Sequence, residues 1–323
     1  ARELLARYDT VNAVNALHSA HLRWWRDYYL LSWVDFQDAD LNRIYYGQQY
    51  IFGSTVREGN TAPGLYGIWR TSDNPRWQGN FHLNYNFQAT WYGSMSSNRM
   101  YDFFEPYVNE VLKYMDKGLE RASTPAQYTG LLAYGSKCIN YVEARLAKGG
   151  DLEGGIQGGV LYPVGITPFQ QENEVGYAGQ TMDAWFCATL LMNYYDYTLD
   201  TEWLNTPVHG HTPYELIRAV GTFYEKWLEK RKPRTDKERI IGRDDKNTKV
   251  SYALQNLEKY SEYTGGDGYV YVLLDGATES LRDCNPTGYL GVLLRLYDRL
   301  IDMSEELGVD ADRRGQWADI RDH

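Results

Sequence analysis

The sequence predicts an all-α fold arranged as a helical toroid with a ligand cleft at one rim. Apolar residues recur with the 3.6-residue helical period along most of the 323-residue chain, and the alternating period of strands hardly occurs. Long irregular stretches rich in glycine, proline, tyrosine and acidic residues separate the helices, and loops of that length are usually functional. No internal repeat or clear boundary is visible, so we expect a single domain over residues 1–323.

The predicted helices follow from amphipathic patterning. They cover 2–31, 39–56, 83–98, 101–121, 126–147, 180–198, 213–230, 250–262, 287–307 and 312–323. The clearest apolar faces, in 214–230 and 287–307, consist of Leu216, Ile217, Val220, Phe223, Tyr224 and Trp227, and of Leu290, Leu293, Leu294, Tyr297, Ile301 and Leu307.

Charge and hydropathy exclude several classes of partner. The net charge of −10 disfavours nucleic acid and anionic membrane surfaces. The sequence lacks an apolar run of about 18 residues, so we expect no membrane span. The N-terminal segment is charged and amphipathic rather than a signal peptide, and we expect any export signal to lie outside this chain.

The cysteines and the standard motifs predict no metal and no cofactor. Cys138, Cys187 and Cys284 are odd in number and widely spaced, which fits neither a disulfide framework nor a metal cluster, so each is expected to be a small buried residue. The sequence contains no G-x-S-x-G, no phosphate-binding glycine loop and no H-E-x-x-H.

The segment 63–98 has the most unusual composition. It combines amides, an imidazole and indoles with glycines that allow close approach of the backbone, in a chain that is 15% aromatic. A polyhydroxylated ligand needs both flat apolar faces and fixed hydrogen-bonding groups. The segment therefore indicates a carbohydrate site, formed among Gly64, Gly67, Trp69, Trp77, Gly79, His82, Asn84, Asn86, Gln88, Trp91 and Tyr92.

The order of several motifs resembles a known family. H-x-x-W-W-x-D…S (His21 to Ser32) is followed by APGLYGIW, N-x-N-x-Q and MDAWFCATLLMNYYDYTLDTEWL…YELIRAVGTFYEKWL. This order is similar to the catalytic domain of glycoside hydrolase family 95, from about His18 to the C-terminus. The resemblance implies an (α/α)6 barrel, inverting α-L-fucosidase or α-L-galactosidase activity, an oligosaccharide or polysaccharide substrate, and a periplasmic or extracellular location.

The resemblance implies that Asn84 and Asn86 hold the attacking water. Residues i and i+2 of a helix point about 200° apart, whereas in an extended segment they share a face. We therefore predict that residues 82–86 are extended or turn-like and that the helix begins near Asn86, an N-cap residue type. The alternative is ordinary capping by one asparagine and solvent exposure of the other.

The resemblance also assigns the general acid to Glu279, in a loop where A-T-E-S stands in place of S-P-E-N or S-P-E-H. Such an acid needs a raised pKa to stay protonated. Glu172 is the alternative acid, and Glu172 and Glu174 are otherwise expected to bind sugar hydroxyls.

The base implied by the resemblance is an aspartate in a later glycine-rich loop, beyond His323. Asp275 and Asp283 are the substitutes within the chain. About ten of the twelve helices of an (α/α)6 barrel are predicted here. We therefore expect a toroid that is incomplete at its C-terminus and further domains of the same polypeptide.

Secondary roles fall to aromatic side chains. Trp185 matches a family tryptophan near the substrate and is predicted to be a stacking wall, with core packing as the alternative. Trp69 and Trp77 are expected to shape the cleft, again with core packing as the rival, and His82 to donate to a sugar hydroxyl.

The function predicted from the sequence is that of an inverting exo-glycosidase. If the aspartate beyond His323 is essential, we expect this chain alone to be inactive or nearly so. Two alternatives stay open. One is another (α/α)6 carbohydrate enzyme, such as a polysaccharide lyase, for which the many tyrosines would supply a base. The other is a non-catalytic or degenerate carbohydrate-binding protein.

Overall fold

The computed structural model describes residues 2–69, 72–124, 145–146, 148–174, 180–231, 268–275 and 283–323. This part of the chain is mostly helical. Its helices are α1 (Arg2–Arg7), α2 (Val11–Tyr29), α3 (Ala39–Thr55), α4 (Asn86–Ala89), α5 (Tyr92–Ser96), α6 (Met100–Phe103), α7 (Glu105–Lys113), α8 (Met115–Ser123), α9 (Asp183–Thr198), α10 (Thr201–Leu204), α11 (Pro213–Trp227), α12 (Thr287–Leu307) and α13 (Arg314–Asp322), with a 3-10 turn at Arg76–Gly79.

The described strands are all short and antiparallel. They are β1 (Phe81–His82), β2 (Gly165–Ile166), β3 (Glu172–Glu174), β4 (Glu229–Arg231), β5 (Val270–Val272), β6 (Leu274–Asp275) and β7 (Asp283–Cys284). They pair as a three-stranded sheet in the order β1-β2-β3 and as two ribbons, β4-β5 and β6-β7. In the three-stranded sheet, His82 lies opposite Gly165 and Gly165 lies opposite Glu174.

Five predicted helices are confirmed within a few residues: 39–56, 180–198, 213–230, 287–307 and 312–323. The end of 213–230 differs, because residues 229–231 form β4. The predicted helices 126–147 and 250–262 lie outside the described residues, apart from 145–146.

Three long predicted helices are broken. The segment 2–31 divides at Thr10, whose side chain caps α2 by accepting from the Ala13 amide at 3.2 Å. The segment 83–98 becomes α4 and α5, and 101–121 becomes α6, α7 and α8 with joints at Phe104 and Tyr114. Apolar periodicity continues through such joints because the successive turns face the same core, so it cannot reveal them.

One buried apolar cluster extends from Tyr28 to Ile320. All six apolar residues predicted for the face of α11 are buried in it. In α12 the prediction is wrong for Leu294, which is 52% exposed, whereas Leu296, Leu300 and Met303 are buried. One core therefore joins helices from the N-terminal part of the chain, such as α2, to those at its C-terminal end, such as α12 and α13.

The helices from α9 onward pack on one another, and α11 also contacts α7 and α8. Helix α9 contacts α4, α5 and α11, α11 contacts α12, and α12 contacts α13. Cys187 of α9 is buried, as predicted, and burial raises the pKa of its thiol. Cys138 and the side chain of Cys284 lie outside the described residues. Among the described helices, none is long and apolar enough to cross a membrane.

Candidate functional site

The site begins at Gly64 and Leu65, which lie against the backbone of Gly79 and Asn80. Gly64 approaches the backbone so closely that a Cβ there would lie 2.4 Å from the Gly79 carbonyl oxygen. The Leu65 amide donates to the Asn80 carbonyl at 2.9 Å. The close backbone approach predicted from the glycines is thus present at Gly64, and it places Asn80 at the start of β1.

The asparagine pair follows β1 directly. The Leu83 amide donates to the Val164 carbonyl at 2.6 Å, Tyr85 has a φ of 176°, and α4 begins at Asn86. The predicted non-helical entry to the helix is therefore confirmed. The predicted N-cap role is wrong, because Tyr85 occupies that position without a side-chain hydrogen bond and Asn86 is the first helical residue.

Asn84 connects this entry to the start of α9. Its Nδ2 donates to Oε1 of Gln180 at 3.3 Å, and Gln180 is 1% exposed. Asn84 itself is half-buried and Asn86 is exposed, so both amides border the surface.

The residue after Gln180 holds a buried carboxylate. The Thr181 amide donates to Oδ1 of Asp275 at 3.1 Å, and the Thr181 hydroxyl donates to Oδ2. Tyr224 contacts the same hydroxyl at 3.3 Å; its burial, reinforced by the negative charge of Asp275, keeps the pKa of Tyr224 well above the ordinary value. Because Asp275 is fully buried and bound to Thr181, it is placed as an anchor of β6 rather than as the substitute base.

A row of amides lies beside His82 on the three-stranded sheet. Asn173 donates to Gln78 at 3.2 Å, Asn80 donates to Asn173 at 2.9 Å, and Nδ1 of His82 lies 3.1 Å from Oδ1 of Asn80. A Cβ at Gly165 would lie 2.2 Å from Nδ2 of Asn80. The sequence did not single out Gln78, Asn80 or Asn173, although each of them stands within two residues of a predicted site residue.

One exposed indole, Trp77, borders this part of the molecule, and a second, Trp69, is exposed beside Gly67. Trp77 is 55% exposed, and its ring centroid lies 6.3 Å from that of His82. Trp69 is 54% exposed. Both tryptophans present apolar area to solvent beside polar groups, which suits the stacking of a sugar ring.

The Glu172 carboxylate is held by two side chains of the protein, and its predicted contact with sugar hydroxyls stays a prediction. Its Oε1 accepts from the Tyr114 hydroxyl at 2.5 Å, and its Oε2 accepts from Nη1 of Arg121 at 2.7 Å. Arg121 is 2% exposed, so the pair is anchored in the core. Burial, and after it the hydrogen bond to Glu172, raises the pKa of Tyr114. Both carboxylate oxygens therefore hold donors of the protein itself.

Trp185 departs from its predicted role. It is 3% exposed and packs edge-on against Tyr289, with the ring centroids 5.6 Å apart. A buried ring presents no open face to a sugar, so core packing, the stated alternative, is what the structure shows.

The remaining predicted residues are only partly covered by the structure. Glu174 pairs with Gly165 through its backbone, while its side chain and the whole of Glu279 lie outside the described residues. The side chain of Asp283 also lies outside the described residues. Within the described ranges, no group of three or more His, Cys, Asp and Glu side chains is placed to hold a metal ion.

Comparison with known proteins gives the class and then the family. The chain is a glycoside hydrolase catalytic domain, in agreement with its mostly helical fold. It belongs to glycosyl hydrolase family 95, since the model of the glycosyl hydrolase family 95 catalytic domain matches residues 32–323. The match begins at Ser32, so most of the motif from His21 to Ser32 lies before it.

A curated relative supports the same family. The probable alpha-fucosidase A of Aspergillus niger is 34% identical over 80 residues. The aligned segment covers 24% of this chain and 10% of that protein.

Proposed function

We propose that the chain carries out inverting, exo-acting hydrolysis of α-L-fucosyl, α-L-galactosyl or related residues at the ends of oligosaccharides or glycans. Glu279 protonates the departing oxygen, and Asn84 and Asn86 hold the water that attacks the opposite face of the anomeric carbon. The aspartate base that the family resemblance implies accepts the proton that this water gives up. Water held opposite the leaving group gives a product of inverted configuration.

The observation that carries this proposal is the connection between Asn84 and β6. Gln180 binds Asn84, and the next residue, Thr181, binds Asp275 at the end of β6. Glu279 follows Asp275 by four residues, a length of chain that spans at most about 14 Å.

The two ends of the segment that contains Glu279 lie side by side, and one of them, Asp275, is connected to Asn84 through Thr181 and Gln180. Asp275 pairs with Asp283 across the β6-β7 ribbon, so the chain leaves and re-enters the described structure at neighbouring points. In inverting enzymes the acid stands about 6.5–9.5 Å from the group that activates the water. The length and attachment of this segment are compatible with that separation.

The substrate class rests on the family and on the surface beside the asparagines. The name of the Aspergillus niger relative points to α-fucosides. Trp69 and Trp77 supply exposed apolar faces, and the amides beside His82 supply fixed hydrogen-bonding groups. We also propose a periplasmic or extracellular location, with which membership of this glycoside hydrolase family is compatible.

The finer architecture is proposed on the same basis. Family 95 catalytic domains have an (α/α)6 fold, and the neighbouring contacts of α9 with α11, α11 with α12 and α12 with α13 fit successive helices of such a toroid. The three-stranded sheet and Asn84 then lie at one rim, beside the start of α9.

Substitution of the acid tests the mechanism. Glu279→Gln keeps the shape of the side chain but cannot deliver a proton, so we expect kcat to fall by about 10²–10⁴-fold on substrates with poor leaving groups. The measurement is hydrolysis of aryl glycosides and of fucosylated oligosaccharides. Glu306→Gln, at an exposed position of α12, is the control and should keep full turnover.

Three outcomes would contradict the proposal. Normal turnover by Glu279→Gln would rule out this acid. Proton NMR of the first-formed product should show the β anomer from an α-glycoside, and the α anomer would exclude inversion. If the full-length polypeptide, which carries the base, binds the panel without hydrolysing it, the protein is a carbohydrate-binding protein.

A further inference from the structure

A short left-handed turn precedes β1. Trp77, Gln78 and Gly79 have φ values of 49°, 56° and 63°, so three successive residues adopt the left-handed conformation. Only glycine adopts it without cost, because the Cβ of any other residue comes too close to the neighbouring carbonyl oxygen. Strain of this kind persists only where the surrounding structure enforces it, and it is concentrated at functional sites and ligand clamps.

The neighbouring backbone enforces this turn. The Gln78 amide donates to the Pro75 carbonyl at 3.0 Å. Gly79 is buried, and a Cβ at Gly64 would lie 2.4 Å from the Gly79 carbonyl oxygen. The end of the turn is therefore packed against another part of the backbone, while its middle, which carries Trp77, faces solvent.

The turn presents an open indole. Trp77 is 55% exposed, and among the described residues no ring is stacked on it, since the imidazole of His82 lies 6.3 Å away and is inclined by 60°. An indole on a fixed backbone loses little conformational freedom when a flat apolar surface packs on it. The carbon face of a sugar ring is such a surface.

The position of Trp77 relative to Asn84 indicates which sugar this is. Trp77 lies beside His82, and His82 precedes Asn84 by two residues, which is about 7 Å of extended chain. In an inverting reaction the leaving group departs on the face opposite to the attacking water, so it stands one ring away from the group that holds the water. Because an exo-acting enzyme cleaves the terminal residue, the ring beside Trp77 belongs to the leaving group.

We propose that the turn Arg76–Gly79 is a leaving-group subsite, in which the indole of Trp77 stacks on the sugar from which the terminal residue is cleaved. Trp77 is then a specificity-determining residue, and Gln78 is a positioning residue whose left-handed backbone holds the indole in place. The proposal rests on the proposed glycosidase function and deepens it, because it assigns as substrate a glycan whose leaving group is itself a sugar.

Two substrates with the same terminal sugar separate this subsite from the reaction. Fucosyllactose has a sugar as its leaving group, whereas the leaving group of α-L-fucosyl fluoride has no ring; the corresponding galactosyl pair serves if the enzyme prefers α-L-galactosides. With the full-length polypeptide, we expect Trp77→Ala to lower kcat/KM on fucosyllactose about tenfold, mainly through KM, and to leave the fluoride unchanged.

The control is another exposed tryptophan. Trp33 is 82% exposed and lies before α3, outside the three-stranded sheet, so Trp33→Ala should keep kcat/KM on both substrates. Trp77→Phe keeps an aromatic ring and should restore most of the loss. Equal losses of Trp77→Ala on both substrates, or no loss on either, would overturn the subsite.

Two substitutions at Gln78 test the role of the turn. Glycine accepts the left-handed backbone, so Gln78→Gly should keep kcat/KM on fucosyllactose within about twofold. A β-branched residue is strongly disfavoured at positive φ, so Gln78→Val should lose activity on fucosyllactose as Trp77→Ala does, with the fluoride unchanged. Equal values for the two variants would show that the backbone at Gln78 does not position the indole.

Binding without turnover is measured by ¹H–¹⁵N NMR of the indole N–H groups. The chain has ten tryptophans, and Trp77→Phe identifies the signal of Trp77 among them. Lactose, the leaving part of fucosyllactose, should shift this signal and leave that of Trp33 in place. For a protein that hydrolyses fucosyllactose, a Trp77 signal unmoved by concentrated lactose would contradict the subsite.

The two measurements distinguish this inference from the proposed function. If no glycoside is hydrolysed but lactose shifts the Trp77 signal, the proposed function fails and the turn remains a sugar-binding site. If fucosyllactose is hydrolysed and Trp77→Ala turns it over with unchanged kcat/KM, the glycosidase stands and the present inference fails.

Discussion

Gly165 shows how a single residue shapes the candidate site. It lies in β2 between His82 and Glu174, and the space that a side chain would take is filled by the amides of Asn80 and Asn173. Its own φ is not in the left-handed region, so steric access and not backbone freedom is the reason for glycine here. The residue contributes by leaving room.

A methyl group at this position should disturb the amide row. We expect Gly165→Ala to lower the free energy of unfolding by about 1–3 kcal/mol, because Asn80 and Asn173 have to move within a packed sheet. Catalytic activity should fall with it. Chemical denaturation and turnover of the same glycoside measure the two effects.

The matched control is Gly291→Ala in α12. A Cβ at Gly291 meets nothing within 4 Å, and alanine is the better helix former by about 1 kcal/mol. The control should therefore be neutral or stabilising. A Gly165→Ala variant as stable and active as the unsubstituted protein would contradict the crowding at this position.

Helix α11 shows what determines an element. Its apolar face was predicted from periodicity alone, and its start is fixed by a capping box. The Thr212 hydroxyl accepts from the Glu215 amide at 3.1 Å, while the Glu215 carboxylate accepts from the Thr212 amide at 2.8 Å. Pro213 at the first helical position reinforces this start. In this helix the capping signals and the apolar periodicity favour the same element that core packing favours, so its predicted apolar face is confirmed.

Removal of the cap should cost stability without loss of activity. We expect Thr212→Ala to lower the free energy of unfolding by about 1 kcal/mol, because the Glu215 amide loses its acceptor. Thermal and chemical denaturation measure the loss, and turnover should not change.

The control is a threonine in the middle of a helix. The hydroxyl of Thr189 in α9 only donates back to the Trp185 carbonyl at 3.1 Å. Thr189→Ala should be close to neutral, since alanine has the higher helix propensity. Equal losses in the two variants would argue against capping as the cause.

Distant parts of the whole molecule meet at Asp275. Its carboxylate joins β6 to Thr181, which precedes α9, and Thr181 follows the residue that binds Asn84. Burial of a carboxylate is costly unless hydrogen bonds compensate for it. This contact therefore ties the asparagine pair to the segment that contains Glu279.

Replacement of the carboxylate should loosen that connection. Asp275→Asn keeps the size of the side chain but replaces one accepting carboxylate oxygen with an amide NH2 group, which cannot accept from Thr181. We therefore expect the free energy of unfolding to fall by about 2–4 kcal/mol. Activity should fall more than stability alone predicts, when measured well below the melting temperature.

Asp319→Asn is the control. Asp319 is 33% exposed and pairs with Lys230 at 2.7 Å, and the pairing lowers the pKa of its carboxyl. Solvent-exposed pairs of this kind contribute at most about 1 kcal/mol. A loss in Asp275→Asn no larger than in the control would contradict the anchoring role.

The sequence by itself determined the helical class, the faces of α11 and α12 apart from Leu294, the family, and the non-helical entry before Asn86. These follow from short-range properties: apolar periodicity, backbone geometry at i and i+2, and ordered motifs. Glu279 as the acid stays a prediction.

Only the tertiary structure decided which polar groups meet. Asn80 and Asn173 are 93 residues apart in the chain, and Thr181 and Asp275 are 94 apart, yet both pairs are hydrogen-bonded. The burial of Trp185 and the hydrogen bond from Arg121 to Glu172 likewise depend on how remote segments pack. Periodicity reports the face on which a side chain lies, but its partner depends on how remote segments pack, and no local pattern records that.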